Sequence, residues 1–200
     1  MLKLYLYSII FIQALQVSSC HRPSPKSEPV SNQSSFIINN TCMNFLKKIQ
    51  LGDFNHWENA IIHCSRSSTE ASFGDTGSSP DAIGSIGENM LTYRNYPAST
   101  FAPYGIIVWF LKDSISIIQI NSPVVTMESI MTSVGEAELK LPSGLMSFHT
   151  QLAYPSKGLV FHVSDITKET LRIYVFEPCS PTQFTESPLS KVKQYRIKKN

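Results

Sequence analysis

The sequence predicts an α+β protein: an N-terminal helical hairpin followed by two α-β-β-β units whose strands form an antiparallel sheet. Three observations predict it. Residues 39–65 place apolar side chains at helical spacing on both sides of a Gly52-Asp53 break. Two stretches, YGIIVWFLKDSISIIQINSP at 104–123 and KGLVFHVSDITKETLRIYVFEP at 157–178, each read as strand, polar turn and strand. Ahead of each lies a short segment with helix punctuation, and the two end alike, Ser85-Ile86-Gly87-Glu88 and Ser133-Val134-Gly135-Glu136.

In the hairpin, residues 41–64, Thr41 is placed to cap a first helix whose apolar positions are Cys42, Phe45, Leu46 and Ile49. Gly52 is a C′ stop and Asp53 an N-cap for a second helix with Phe54, Trp57, Ile61 and Cys64 on one face. Folding back at this break sets Cys42 beside Cys64, each eleven residues from Asp53. A disulfide there closes a loop contributing about 3 kcal/mol. Two buried free thiols are the other reading. Cys179 is then the odd cysteine: a free thiol, an intermolecular partner, or the true partner of Cys42 or Cys64.

Repeat one spans 80–121 and repeat two 126–178. The first has Ser79 as cap, Pro80 at the first helical position and Gly87 as stop; the second has Thr126 as cap and Gly135 as stop. MLTYRNYP and LMSFHTQLAYP follow as strands, and Gly105 and Gly158 open the two hairpins. GIIVWFL is apolar on both sides, which predicts a strand covered on both faces. Three strands with one apolar face rarely stand alone, so two units side by side share a core and halve the exposed edges.

Charge divides the chain. Residues 36–180, the predicted α+β domain, carry 9 Lys+Arg against 13 Asp+Glu. Residues 181–200, expected as a basic disordered tail, carry Lys191, Lys193, Arg196, Lys198 and Lys199 against Glu186. The whole is only +2, so no nucleic-acid partner is expected.

The N-terminus reads as an address. Lys3 precedes fourteen mostly apolar residues, 4–17, too short for the ~20 that span a bilayer. They suit a signal peptide, residues 1–19. Val17-Ser18-Ser19-Cys20 resembles a bacterial lipobox, in which the cysteine thiol takes diacylglycerol in thioether linkage; ordinary cleavage near Ser19 is the competitor. Residues 20–35 then combine the lipidated Cys20 with a Pro/Ser-rich disordered tether.

No motif of catalysis or metal binding appears. The histidines His21, His56, His63, His149 and His162 form no H-E-x-x-H, and no Cys/His set has finger spacing. There is neither G-x-S-x-G nor a phosphate loop, and the Asp75 D-T-G lacks a second copy and a hydrophobic strand. His149 and His162 fall on predicted strands where they can approach each other, and Tyr93, Tyr96 and Tyr104 near strand ends are candidates for a binding surface.

The short helix ending in Ser-Val-Gly-Glu, followed by antiparallel strands, resembles small envelope lipoproteins of the BamE/SmpA type and the tandem repeats of beta-lactamase-inhibitor-like proteins, over residues 80–178. The proline that follows the helix-ending glycine in those families is absent, with Glu88-Asn89 and Glu136-Ala137 instead. The resemblance implies binding or assembly rather than catalysis. The expectation is a non-enzymatic lipoprotein of the bacterial envelope, anchored to cell or outer membrane through acylated Cys20. It binds an envelope protein and uses no metal or small-molecule cofactor. The alternatives are a secreted tandem-repeat enzyme inhibitor binding through the concave face of its sheet, and an envelope hydrolase using His149 or His162 beside a carboxylate.

Overall fold

The computed structural model describes residues 32–73, 81–86 and 89–191, and the side chains among them except those of 32–40 and 89. The signal peptide, Cys20, the tether, the loop with Asp75, the punctuation at Ser79, Pro80, Gly87 and Glu88, and residues 192–200 lie outside the described residues.

One eight-stranded antiparallel sheet dominates. Strands β1 (Ala82–Ile86), β2 (Asn89–Tyr96), β3 (Ile106–Leu111) and β4 (Ser114–Asn121) form one meander. A second is formed by β5 (Leu139–Pro142), β6 (His149–Tyr154), β7 (Leu159–Ser164) and β8 (Thr170–Phe176). The order is β1-β2-β3-β4-β8-β7-β6-β5. The meanders meet where β4 and β8 pair antiparallel, from Ile117 opposite Phe176 to Asn121 opposite Arg172. The strand order mirrors about that seam, and the paired hairpins β3-β4 and β7-β8 are the central strands. Joining the halves there leaves only β1 and the four-residue β5 at the sheet edges.

This corrects the predicted fold class. The architecture is two four-stranded meanders rather than two α-β-β-β units. The segment read as a capped helix before the first hairpin forms β1 instead. Its isoleucines, Ile83 and Ile86, are three residues apart as on a helix, but Gly84 between them lies under the rings of Trp109 and Tyr93. A β-carbon at Gly84 would come 3.0 Å from the Trp109 ring, so the glycine admits close packing across the strands.

The N-terminal helical hairpin is not what forms either. A single helix, α1 (Asn32–Leu51), begins well ahead of Thr41, and after turns at Asp53–Trp57 come only two short helices, α2 (Glu58–His63) and α3 (Arg66–Phe73). Cys64 is extended (φ −102°, ψ 142°), which ends α2 after six residues. Cys42 and Cys64 are joined by a disulfide, and Cys179 lies half-buried outside it.

Helix α4 (Met127–Val134) crosses between the meanders. Thr126 accepts the Ser129 N–H, and Gly135, at φ +96°, follows the last turn. Residues 181–191, expected as part of the basic tail, instead fold into α5 (Pro181–Glu186) and a 3-10 turn (Pro188–Lys191). Ser180 and Gln183 form a reciprocal capping box at the start of α5.

The inner sheet face carries Val108, Phe110, Ile118, Ile120, Leu152, Phe161, Ile173 and Val175, buried under Leu46, Ile49, Trp57, Ala60 and Ile130 of the helices. Each such side chain contributes about 1.5–3 kcal/mol on burial. The outer face carries Trp109, Ile117, Ala153, Val160, Tyr174 and Phe176, covered in part by Phe184 and Leu189 of residues 181–191. β3 is accordingly apolar on both sides.

An ion cluster joins α3 to the first meander. Arg94 donates through Nε to Asp81 at 2.7 Å and pairs also with Glu70. Arg66 pairs with Asp81, donates to Thr92 Oγ1 at 3.0 Å, and lies 4.2 Å over the Phe110 ring. Burial pushes the Asp81 carboxyl up, but the hydrogen bond from Arg94 and the charge of Arg66 outweigh it and hold the group below its usual range. The acid neutralises two guanidinium groups that would otherwise repel across the α3–β2 contact.

Candidate functional site

Four loops emerge at one end of the sheet, where β2, β4, β5 and β7 finish and β3, β6 and β8 begin: residues 97–105, 122–126, 143–148 and 165–169. Each carries a large apolar side chain turned to solvent. Tyr104 is 75% exposed, Val124 68%, Phe148 72% and Ile166 74%. Met146 is also exposed, and Leu51 adds another at the C-terminal end of α1, where Ser99 donates to Gln50 O. Exposed large apolar side chains gathered at one end of a fold are a feature of docking surfaces.

The loops are laced together by backbone hydrogen bonds. Val124 N–H donates to Phe101 O at 2.9 Å, Thr170 N–H to Val125 O at 3.2 Å, Met127 N–H to Lys168 O at 2.8 Å, and Asp165 N–H to Phe148 O at 2.8 Å. The rim is thus one connected structure. Three of its residues, Ser122 (φ 41°), Phe148 (φ 56°) and Lys168 (φ 62°), occupy the left-handed region. For a bulky residue such as phenylalanine that conformation is costly, and it aims the ring outward.

Behind the rim, on the outer face, register brings polar residues into a row. Gln151 of β6 is opposite His162 of β7, which is opposite Arg172 of β8, which is opposite Asn121 of β4. A bulge between His162 and Val163 interrupts the ladder there. His162 Nδ1 lies 2.7 Å from Ser143 Oγ, and that oxygen also accepts the Leu145 N–H. Gln151 donates through Nε2 to Leu189 O at 2.9 Å, and Arg172 donates to the Tyr174 hydroxyl at 3.0 Å. Gln151 Oε1, His162 Nε2 and Arg172 Nε are buried without a hydrogen-bond partner. Burial, with Arg172 and then His149 adding like charge, pushes His162 down to about 3. Its ring is neutral across the physiological range.

The histidines singled out from the sequence thus share the outer face but not a carboxylate. His149 Nδ1 lies 2.9 Å from Ser147 O and is partly exposed, while His162 is sealed against Ser143. Of the three tyrosines, Tyr104 is on the rim; Tyr96 is buried, its hydroxyl pushed up to about 12 by desolvation; and Tyr93 packs on Trp109. Helices cover the inner face of the sheet over the core strands. No group of three or more His, Cys, Asp or Glu is arranged to hold a metal, and no helix is long and apolar enough to cross a membrane, among the described residues.

Only Tyr104 of the rim and His162 of the polar row could be singled out from the sequence. Both features are assembled from residues distant in the chain, and only strand register and loop packing make them neighbours.

No protein-family profile matches the chain, and no curated protein does. A solved structure that is similar in part is a DUF4309 family protein (YjgB) from Bacillus subtilis. It is 12% identical, with 68% of this chain and 98% of that chain covered and a TM-score of 0.41. A likeness at that score carries no argument.

Proposed function

We propose that this chain is an exported lipoprotein, tethered through acylated Cys20, whose body is a binding module that docks an envelope protein through the apolar rim. The observation that carries the docking reading is that all four loops at one sheet end expose a large apolar residue while being hydrogen-bonded into a single rim. A preformed rim loses little conformational freedom on binding. Its flank bears Glu128, Asp165 and Glu169, with Lys168 Nζ donating to Asp165 O at 2.6 Å, so the complementary surface is apolar with a basic border.

The direction of α1 suits this role. Its C-terminal end meets loop 97–105, while Cys42 is tied to Cys64 beside the Ser65–Ser114 bridge at the opposite end of the sheet. The helix therefore runs toward the rim from the opposite end of the sheet, so a tether joined to its N-terminal side would enter away from the rim.

Site-specific photo-crosslinking in intact cells tests the docking. Benzoylphenylalanine at Phe148 or Ile166 is expected to give one discrete protein adduct that Lys112, on the opposite end, does not give. Adducts of equal yield from Lys112, or adducts to lipid alone, would rule out rim docking.

A further inference from the structure

His162 is 1% exposed, yet it stands in a row of polar groups, three of which have polar atoms with no partner. Two segments border the row, one at His162 itself and one at its strand neighbour Gln151. The turn at Ser143–Leu145 is held to the sheet by the Ser143 N–H bond to His149 O at 2.9 Å, and it lies between paired strands β5 and β6. Residues 181–191 are held differently. They are joined to the body at Cys179, whose N–H donates to Pro155 O, and rest on the sheet through Phe184, stacked on Phe176 at 5.4 Å, through Leu189, and through the Gln151 bond to Leu189 O. This strap can lift without breaking the strand ladder.

We propose that residues 181–191 form an acid-released cover over the Gln151–His162–Arg172 row. With the cover closed, the ring lies in an apolar enclosure beside the fixed charge of Arg172, and a second positive charge there is strongly disfavoured. Ser143 Oγ accepts from Leu145, so its own proton is free to go to Nδ1, and Nε2 then carries the ring hydrogen toward the unpartnered side. With the cover lifted, water reaches the Nε2–H and solvates the ring, which takes its proton at Nδ1 while the Ser143 hydroxyl turns to accept from it, at a value raised toward the ordinary one. Protonation therefore binds the open form in preference to the closed form and pulls the equilibrium open as pH falls.

The groups facing His162 are Arg172 and Tyr174 from β8, His149 and Gln151 from β6, and Ser143 from the turn. The charged residues of the strap, Glu186 and Lys191, are exposed. No carboxylate stands among the groups facing the ring to stabilise its cation in the closed form. Opening exposes a row with guanidinium and imidazole donors beside an amide acceptor, next to the rim.

Hydrogen–deuterium exchange of the full chain, corrected for intrinsic rates, tests this. A six-residue helix released from the sheet frays, so the Phe184 and Ser187 amides, bonded within the strap to Ser180 O and Phe184 O, lose protection when it lifts; β3 and β4 amides report the core. A ring moving from about 3 toward the ordinary 6.5 predicts that strap opening rises by up to about 30-fold between pH 7.5 and 5, with the core unchanged. His162→Gln should abolish the dependence. Phe184→Ala should open the strap at neutral pH and bring the His162 titration, read by NMR, up toward 6.5. Strap protection independent of pH, the same dependence in His162→Gln, loss of strap and core protection together, or a His162 titration unmoved by Phe184→Ala would each overturn the proposal.

Discussion

Replacing Gly158 by alanine is expected to destabilise the protein by about 3 kcal/mol. Gly158 sits at φ 64°, ψ 33°, where the 3-10 turn Pro155–Lys157 passes into β7. A side chain in that left-handed conformation costs about 1–2 kcal/mol, offset by under 1 kcal/mol from the stiffer unfolded chain. The larger part is steric. A β-carbon at Gly158 would press into the carbonyl oxygen of Phe176 and lie 3.3 Å from Pro178. That carbonyl cannot swing aside freely, because the Phe176 N–H donates to Gly158 O at 2.8 Å and ends the β7–β8 pairing. Moving the strands apart enough to clear the methyl forfeits that bond and strains its neighbours, about 2 kcal/mol more. The pseudo-symmetric mate behaves alike: Gly105, at φ 78°, would press its β-carbon into Tyr96 O. Urea unfolding of both variants is the assay, with a midpoint fall of about 1.5 M or more at a typical slope. A loss below 1 kcal/mol in either would show that the β7–β8 or the β2–β3 pairing is not clamped by close backbone approach.

Reducing the Cys42–Cys64 disulfide, or replacing Cys64 by serine, should lower stability by about 3 kcal/mol, since it releases a loop of sequence separation 22; thermal unfolding should shift down by roughly 10 °C. Asp81→Asn should cost about 2 kcal/mol at neutral pH by removing the carboxylate that Arg66 and Arg94 share, leaving Glu70 and the more distant, exposed Asp113 as their acidic partners. Because the folded carboxyl is held below the unfolded value of 3.8, its stabilisation is present above that value and is lost as pH falls through the folded one. Wild type and Asp81→Asn should therefore converge in acid, which denaturant titrations at pH 7 and below 3 would show. Ile166→Ser and Tyr104→Ser, on the exposed rim, should change unfolding free energy by no more than about 0.5 kcal/mol while removing the crosslink from Phe148.

What the sequence disclosed was local chemistry. The Thr126 cap and Gly135 stop mark α4, and the alternating hairpins at 104–123 and 157–178 contain β3-β4 and β7-β8. What it concealed was tertiary. The isoleucine spacing in β1 imitates a helix, and only packing of Trp109 over Gly84 decides for a strand. β5 is four residues long and carries little pattern of its own. The long α1 was missed because its first turns precede the cap and glycine signals used to bound it. The fold of residues 181–191 had a readable sign that composition outweighed: Ser180-Pro181-Thr182-Gln183 is a capping-box sequence with proline at the first helical position. Of the polar row only His162 stood out in the sequence, because Gln151 and Arg172 are ordinary polar residues on two other strands and only register brings the three together.

Lipid tethering at Cys20 is tested most directly by the mass of the N-terminal peptide from chain purified out of the membrane of its own cells. The expected peptide begins at Cys20 and carries a thioether-linked diacylglycerol, with residues 1–19 gone. A peptide that still contains residues 1–19, or that begins at an unmodified Cys20, would contradict the tethered-display reading.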